Sequence, residues 1–277
     1  MRILTTGADG QLGRELQRAL LGHTLVLAAW PKFDLLKPDV EKHVLDARPH
    51  VVIHTAAYTD VDEAERKPDK AMAINAEGTE RVARAAAKTG ARLIYLSTDY
   101  VFDGQKGAPY RETDEPNPLN AYGRSKLEGE RKALAYCANT LVVRTAWLYG
   151  AHGKNFVKTI MRLASEQPEL RVVADQRGCP THAGDLAQAL ARIVDTDLRG
   201  VVHAAGAGDC TWYEFACAIV SLMGSSVTVR PITTAEAKRA APRPPYAVLA
   251  NRVLAGVGIV LPHWKDALTR FMKEVKG

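Results

Sequence analysis

Tyr122 and Lys126 stand four residues apart in Tyr122-Gly-Arg-Ser-Lys126. In a helix that spacing puts both side chains on one face, about one turn apart. A tyrosine hydroxyl ionises near pH ~10, and a cation beside it favours the phenolate. Such a phenol can hand its proton to an alkoxide that forms near neutral pH. Earlier in the chain, Thr98 lies in Ser97-Thr98-Asp99-Tyr100-Val101-Phe102, at the end of a strand-like run. Polar side chains at the C-terminal edge of a parallel strand lie where such sheets bind ligands. Thr98 can donate a hydrogen bond to the same oxygen, so that charge formed during hydride transfer meets fixed donors. Tyr-x-x-x-Lys alone is also carried by surface helices, so its meaning depends on the elements around it.

Those elements begin at the N-terminus. The strand-like run Arg2–Thr6 leads into Gly7-Ala-Asp-Gly10-Gln11-Leu12-Gly13, and a helical pattern follows at once over Gln11–Leu21. One glycine permits the tight turn, one lets the backbone approach a pyrophosphate, and one lets the helix pack on the strand. The helix N-terminus then faces the phosphates. No Gly-Lys-[Ser/Thr] follows, so a phosphate-transferring loop is excluded. After the second strand, Leu25–Ala29, no carboxylate appears before Asp34. An acidic residue there would hydrogen-bond an NAD ribose; its absence points to NADPH, with Lys32 or Arg14 toward the 2′-phosphate. NADH stays open, and Asp34 and Leu35 are expected near the adenine.

Further strands are expected at Val51–Thr55, Leu93–Ser97 and Leu141–Arg144, and helices at Val40–Ala47, Pro68–Thr89 and Leu119–Cys137. This alternation predicts an α/β protein, a Rossmann-type doubly wound parallel sheet. Past residue 150 the rhythm loosens. Helices are expected at Phe156–Ser165, His182–Asp195, Thr211–Met223 and Trp264–Val275, and short strands at Arg171–Ala174, Gly200–Ala204 and Val227–Arg230. The expected division is a dinucleotide-binding domain over 1–150 and a smaller α/β substrate part over 151–277, with some crossing of the chain between them.

The chain has 277 residues and a formal net charge of +6. Lysines and arginines are interspersed with acids and form no run of five, which argues against nucleic acid. No stretch of 18 apolar residues occurs, and MRILTTG is a strand-like start rather than a leader, so no membrane association is expected and the cytoplasm is the expected location. The four cysteines Cys137, Cys179, Cys210 and Cys217 form no C-x-x-C pair or zinc spacing and read as reduced thiols.

With these motifs in place, the sequence resembles the extended short-chain dehydrogenases/reductases, and within them the dTDP-4-dehydrorhamnose reductase family. The matching segments are GADGQLG, HTAAYTDVDEAE, INAEGT, LSTDYVFDG, YGRSK, RTAWLYG, DQRGCPT and TWYEFA. The resemblance implies reduction of the 4-keto group of dTDP-4-dehydro-β-L-rhamnose by NAD(P)H. It makes Thr98, Tyr122 and Lys126 the catalytic set, and Gly7, Gly10, Gln11, Leu12 and Gly13 the cofactor loop. Ala56, Ala57 and Tyr58 become the backbone strip beside the nicotinamide and its ribose. Thr98, Asp99, Trp147, Asn155 and Arg243 are the implied substrate contacts, with Trp264 a weaker match. Some relatives hold Mg2+ between carboxylates at a dimer interface; Glu15 matches one such position, and a solvated surface glutamate is the preferred reading, so no metal is assigned. A homodimer stays open. The chain departs from the family in the late loop, where Ala247 replaces a serine and removes a hydroxyl.

Asn75 reads either as a support for the active-site region, as in extended relatives, or as helix-surface polarity. His54 at a strand end reads as structural, Trp212 and Tyr213 as core, and Asp60, Asp62, Glu63 and Glu65 as a solvated helix face. Two other functions fit the motifs. One is another nucleotide-sugar enzyme on the same scaffold, an epimerase or dehydratase. The other is a non-catalytic regulatory subunit like the β subunit of methionine adenosyltransferase.

Overall fold

The computed structural model describes residues 1–275. Six parallel strands form the central sheet: β1 (Arg2–Thr6), β2 (Thr24–Ala28), β3 (Val51–His54), β4 (Arg92–Thr98), β5 (Thr140–Thr145) and β6 (Gly200–His203). Their order is β6-β5-β4-β3-β1-β2. The chain goes from β1 outward to β2, then returns past β1 to place β3 on the other side. The switch point between β1 and β3 is where an open parallel sheet leaves a crevice at its C-terminal edge.

Runs such as Val51-Val52-Ile53 are apolar on both faces because helices cover both faces. On one side, α1 (Gln11–Ala19) and α6 (Ala183–Val194) bury Leu12, Leu16, Leu186 and Leu190 against Ile3, Ile53 and Ile94. On the other, α2 (Val40–Ala47), α3 (Gly78–Thr89) and α4 (Ala121–Tyr136) bury Val44, Val82, Ala86 and Ala133 against Leu4, Val52 and Leu93. The rest of the chain builds a further core. There α5 (Phe156–Glu166), α7 (Trp212–Met223) and α8 (Trp264–Glu274) enclose Tyr149, Phe215, Leu268 and Phe271.

Past residue 150 the chain does not stay in that second core. It returns as α6 and β6, which complete the central sheet. Arg92 secures the return: its guanidinium donates to the carbonyls of Ile193 (2.9 Å), Leu198 (2.6 Å) and Thr196. The stretch expected as one helix over Pro68–Thr89 is helical throughout, but a π-helical turn at Ala73–Glu77 interrupts it. Such turns insert one residue and rotate the side chains that follow; here the turn contains Asn75. All four cysteines are free. Among the described residues, no helix is long and apolar enough to cross a membrane.

Candidate active site

A crevice of about 860 Å³ opens where the switch point predicts. Its wall at the glycine loop is built from close backbone contacts. Gly7 has φ +64°, and a Cβ there would lie 2.8 Å from the Ala56 nitrogen. A Cβ on Gly13 would lie 2.2 Å from the Gly7 carbonyl oxygen, so α1 can sit this tightly on the loop only with glycine. Gly10 precedes α1 and provides no side-chain cap, which leaves the first N–H groups of the helix free of a side-chain acceptor. Gly7, Gly10, Gln11, Leu12 and Gly13 all line the crevice.

Opposite them runs the strip Ala56–Tyr58. Its shape is set by side chains from other elements. The Ala56 N–H donates to the Thr6 hydroxyl (3.2 Å), and the Tyr58 N–H donates to Asn75 Oδ1 (2.7 Å). The Asn75 amide donates to the Tyr58 carbonyl (3.0 Å) and to the Ser125 hydroxyl (2.9 Å). Asn75 therefore ties the strip to α4, which favours the first of its two sequence readings.

The N-terminus of α4 is held by Asn120, whose side chain accepts from the Gly123 N–H (2.8 Å), and by Glu65, which accepts from the Ala121 N–H (2.7 Å). Two glycines let α4 lie on its neighbours: a Cβ at Gly123 would stand 2.2 Å from the Tyr100 carbonyl, and one at Gly129 would stand 2.3 Å from the Tyr95 hydroxyl. Tyr122 and Lys126 consequently share a buried face of α4 and line the crevice together with Thr98 and Asp99. The Tyr122 ring packs edge-on against Tyr100, 5.8 Å between centroids. Thr98 donates to Asp99 Oδ1 (3.0 Å), while Asp99 Oδ2 is buried without a partner among the described residues.

The electrostatics differ from the expectation of a lysine-depressed phenol. Burial pushes the Tyr122 hydroxyl well above its ordinary value; contact with Thr98 opposes this, and Asp99 and Tyr100 add to it. The Lys126 amine is pushed down to about 7 by burial, against the pull of Glu130. It donates to the Leu96 carbonyl (2.6 Å) and lies over the Tyr95 ring. Both groups are out of water, so desolvation outweighs their mutual influence. Burial also raises Asp99, to about 7.

Another wall of the crevice is aromatic. Trp147 has φ +45°, a conformation uncommon for a bulky residue. Its ring stacks on Trp212 at 3.4 Å between centroids, and a Cβ on Gly178 would lie 2.5 Å from its Cε2. Trp212, read from the sequence as core, lines the crevice. Ala247 is buried away from the crevice, and its N–H donates to the Arg177 carbonyl (2.8 Å).

Several expected contacts lie elsewhere. Asp34 and Leu35 line the crevice beside Trp30, Phe33 and Leu36, but Lys32 does not. Arg14 donates to the Asp9 carbonyl (3.2 Å) in the glycine loop. Asn155 does not line the crevice: it caps α5 and donates to Gln11 Oε1 (2.9 Å), one step behind the glycine loop. Arg243 is held by Asp62 (3.0 and 3.1 Å) and sits behind Tyr100, whose hydroxyl it also meets. Trp264 is packed in the second core. Lys70 and Lys154 line the crevice and carry no motif that would have singled them out.

His54 is buried between Thr6 (2.6 Å) and Thr79 (3.1 Å), and burial holds it down to about 3, which leaves it a neutral structural group. The acidic segment divides its work. Asp60 caps the Glu63 N–H, Asp62 binds Arg243, Glu63 binds Lys67, and Glu65 caps α4. Glu15 pairs with Arg18 (3.5 Å) and His152 (3.9 Å). Among the described residues no three His, Cys, Asp or Glu side chains converge as metal ligands.

The family described as the RmlD substrate binding domain matches residues 1–276. This chain belongs to that family. Individual proteins agree with this membership. A dTDP-4-dehydrorhamnose reductase of Mycobacterium tuberculosis is 43% identical over 277 residues, covering 96% of this chain and 91% of the relative. The crystal structure of a dTDP-4-dehydrorhamnose reductase from Bacillus anthracis in complex with NADP superposes with a TM-score of 0.96, at 42% identity over 99% of both chains. A Thermus thermophilus UDP-glucose 4-epimerase complex with NAD, 21% identical with a TM-score of 0.86, shares the fold alone.

Proposed function

We propose that this chain reduces the 4-keto group of dTDP-4-dehydro-β-L-rhamnose with NAD(P)H, yielding dTDP-L-rhamnose. The observation that carries the reading is that Thr98, Tyr122 and Lys126 line the same crevice as the glycine loop and the Ala56–Tyr58 strip. The cradle fits a dinucleotide. Gly7 and Gly13 pack too closely for side chains, and Gly10 leaves the start of α1 open to a phosphate. The NADP bound in the Bacillus anthracis relative supports a nicotinamide dinucleotide here, NADPH being the reading preferred and NADH staying open. A bound cofactor supplies a hydride to the ketone carbon.

The protein's own groups do the rest. Tyr122, held fully protonated by burial, gives its proton to the carbonyl oxygen as negative charge develops there. Thr98, whose hydroxyl donates to Asp99 Oδ1 in the free protein, would turn that one proton to the substrate oxygen instead. Lys126 orients the cofactor ribose and stabilises the phenolate that remains. Trp147, fixed by Trp212, forms one wall for the sugar.

The test is an assay of nicotinamide absorbance with dTDP-4-keto-6-deoxy sugars. The reading requires one NADPH oxidised per sugar reduced. Conversion of sugar without net oxidation would instead assign an epimerase or dehydratase. Neither change, with co-purification of a partner protein, would assign a regulatory subunit.

A further inference from the structure

We infer that Glu130 is a positioning residue for this chemistry: a buried carboxylate, fixed by Arg144 and Ser97 one helical turn from Lys126, whose negative charge favours the ammonium form of Lys126 beneath the crevice. The inference rests on the reductase reading for its consequence, not for its geometry. Tyr122, Lys126 and Glu130 follow one another at four-residue steps on the buried stripe of α4. The Glu130 side chain is 2% exposed and its partner Arg144 4%. Arg144, from β5, grips both carboxylate oxygens, Nε to Oε1 at 2.9 Å and Nη2 to Oε2 at 2.6 Å. Ser97, from β4, donates to Oε1 and itself lines the crevice.

Stability alone is a poor account of this pair. A buried ion pair is costly to desolvate and can often be replaced by apolar residues at no loss. Here the guanidinium leaves Nη1 without a partner, a cost an apolar pair would avoid. What an apolar pair could not provide is a counter-charge for Lys126. The other titratable groups around that amine come from every side and offer no such anion. Tyr95 from β4 and Tyr122 and Tyr100 are phenols that burial keeps protonated. His54 from β3 is neutral, and Asp99, raised by burial to about 7, is only partly ionised near neutral pH. Glu65 is used at the N-terminus of α4, and Glu80 is bound to Arg84 and Lys132. The attraction that opposes burial at Lys126 comes from Glu130. Arg144 and Ser97 fix the carboxylate in place, with the guanidinium on the β5 side.

The test uses the full chain labelled with [13Cε]lysine, the Lys126 signal being the one lost in Lys126→Arg. Glu130→Gln should move the Lys126 titration, and with it the alkaline limb of kcat/KM, down by about one pH unit or more. Glu130→Gln with Arg144→Met removes both charges and leaves no guanidinium stranded in the core; it serves where the single variant does not fold, and it should move the titration the same way. A folded variant whose Lys126 titrates with the wild type overturns the inference. The carbon signal is read without turnover, so a failure of the reductase reading would show separately, as no NADPH oxidation by the wild-type chain.

Discussion

Tyr122 can serve as an acid only if its proton is present when the ketone arrives. Burial secures that, since it holds the phenol high. Replacing Tyr122 by Phe should lower kcat by roughly 10²–10⁴-fold, the usual contribution of a positioned proton donor. NADPH binding, followed by quenching of indole fluorescence, should stay close to wild type; unchanged turnover would remove Tyr122 from its role. Asp99 makes a second prediction. Its folded value, about 7, lies above the ordinary carboxylate value of 3.8. A raised carboxylate contributes stability that is fully present below the unfolded value and is lost as pH rises through the folded one. Asp99→Asn removes that dependence. The variant's melting temperature relative to wild type should therefore climb between pH 4 and pH 8; a flat difference would contradict the buried, protonatable state. At this scale the sequence was legible where residues lie near one another in the chain. Tyr122 and Lys126 are joined by helical period, and Thr98 by its strand end. The Glu130–Arg144–Ser97 contact was not legible, because α4, β5 and β4 each contribute one member and no spacing records it.

The elements explain why such side chains meet with this accuracy. α4 can approach the sheet because Gly123 and Gly129 have no side chains, and it is bound to the crevice strip through Asn75. Gly129→Ala would drive a methyl into the Tyr95 hydroxyl and the Asn75 carbonyl, 2.3 and 2.4 Å away. Overpacking of this kind costs about 1–3 kcal/mol, and here it pushes the face bearing Tyr122 and Lys126 outward. A lower melting temperature together with reduced kcat is expected; wild-type values for both would show that α4 has slack. Helical periodicity located α4 within two residues at either end, yet it could not reveal the π-helical turn at Ala73–Glu77. Nothing in INAEGT breaks the pattern, and the turn is explained by the bonds Asn75 makes to Tyr58 and Ser125. Lys32 and Arg14 are singled out by charge alone. Their charges fit a phosphate in one dimension; Lys32 does not line the crevice, and Arg14 donates to the Asp9 carbonyl of the glycine loop.

Across the whole molecule, buried histidines set the acid limit. His54 and His203 are both held down to about 3, chiefly by burial, from an ordinary value of 6.5. A depressed value means that the unfolded chain binds protons below pH 6.5 that the native chain refuses. Stability therefore falls as pH drops from 6.5 toward 3, by up to about 1.4 kcal/mol per pH unit for each histidine. His203→Gln should make urea midpoints less sensitive to acid between pH 6.5 and pH 5, relative to its own value at pH 8; an unaltered slope would mean that His203 is charged in the native state. The sheet as a class was legible from alternating strands and helices. The destination of α6 and β6 was not, since a short strand pattern does not say which sheet receives it.

That late arrival bears on how the protein is made. During synthesis β5 emerges long before its neighbour at 200–203, and until then its outer backbone groups stand open to any passing strand. The Arg92 guanidinium likewise waits for carbonyls a hundred residues downstream. A nascent chain halted near residue 150 would thus present a bare, adhesive border, and anyone wishing to carve out a free-standing dinucleotide module must carry residues 183–203 along with it.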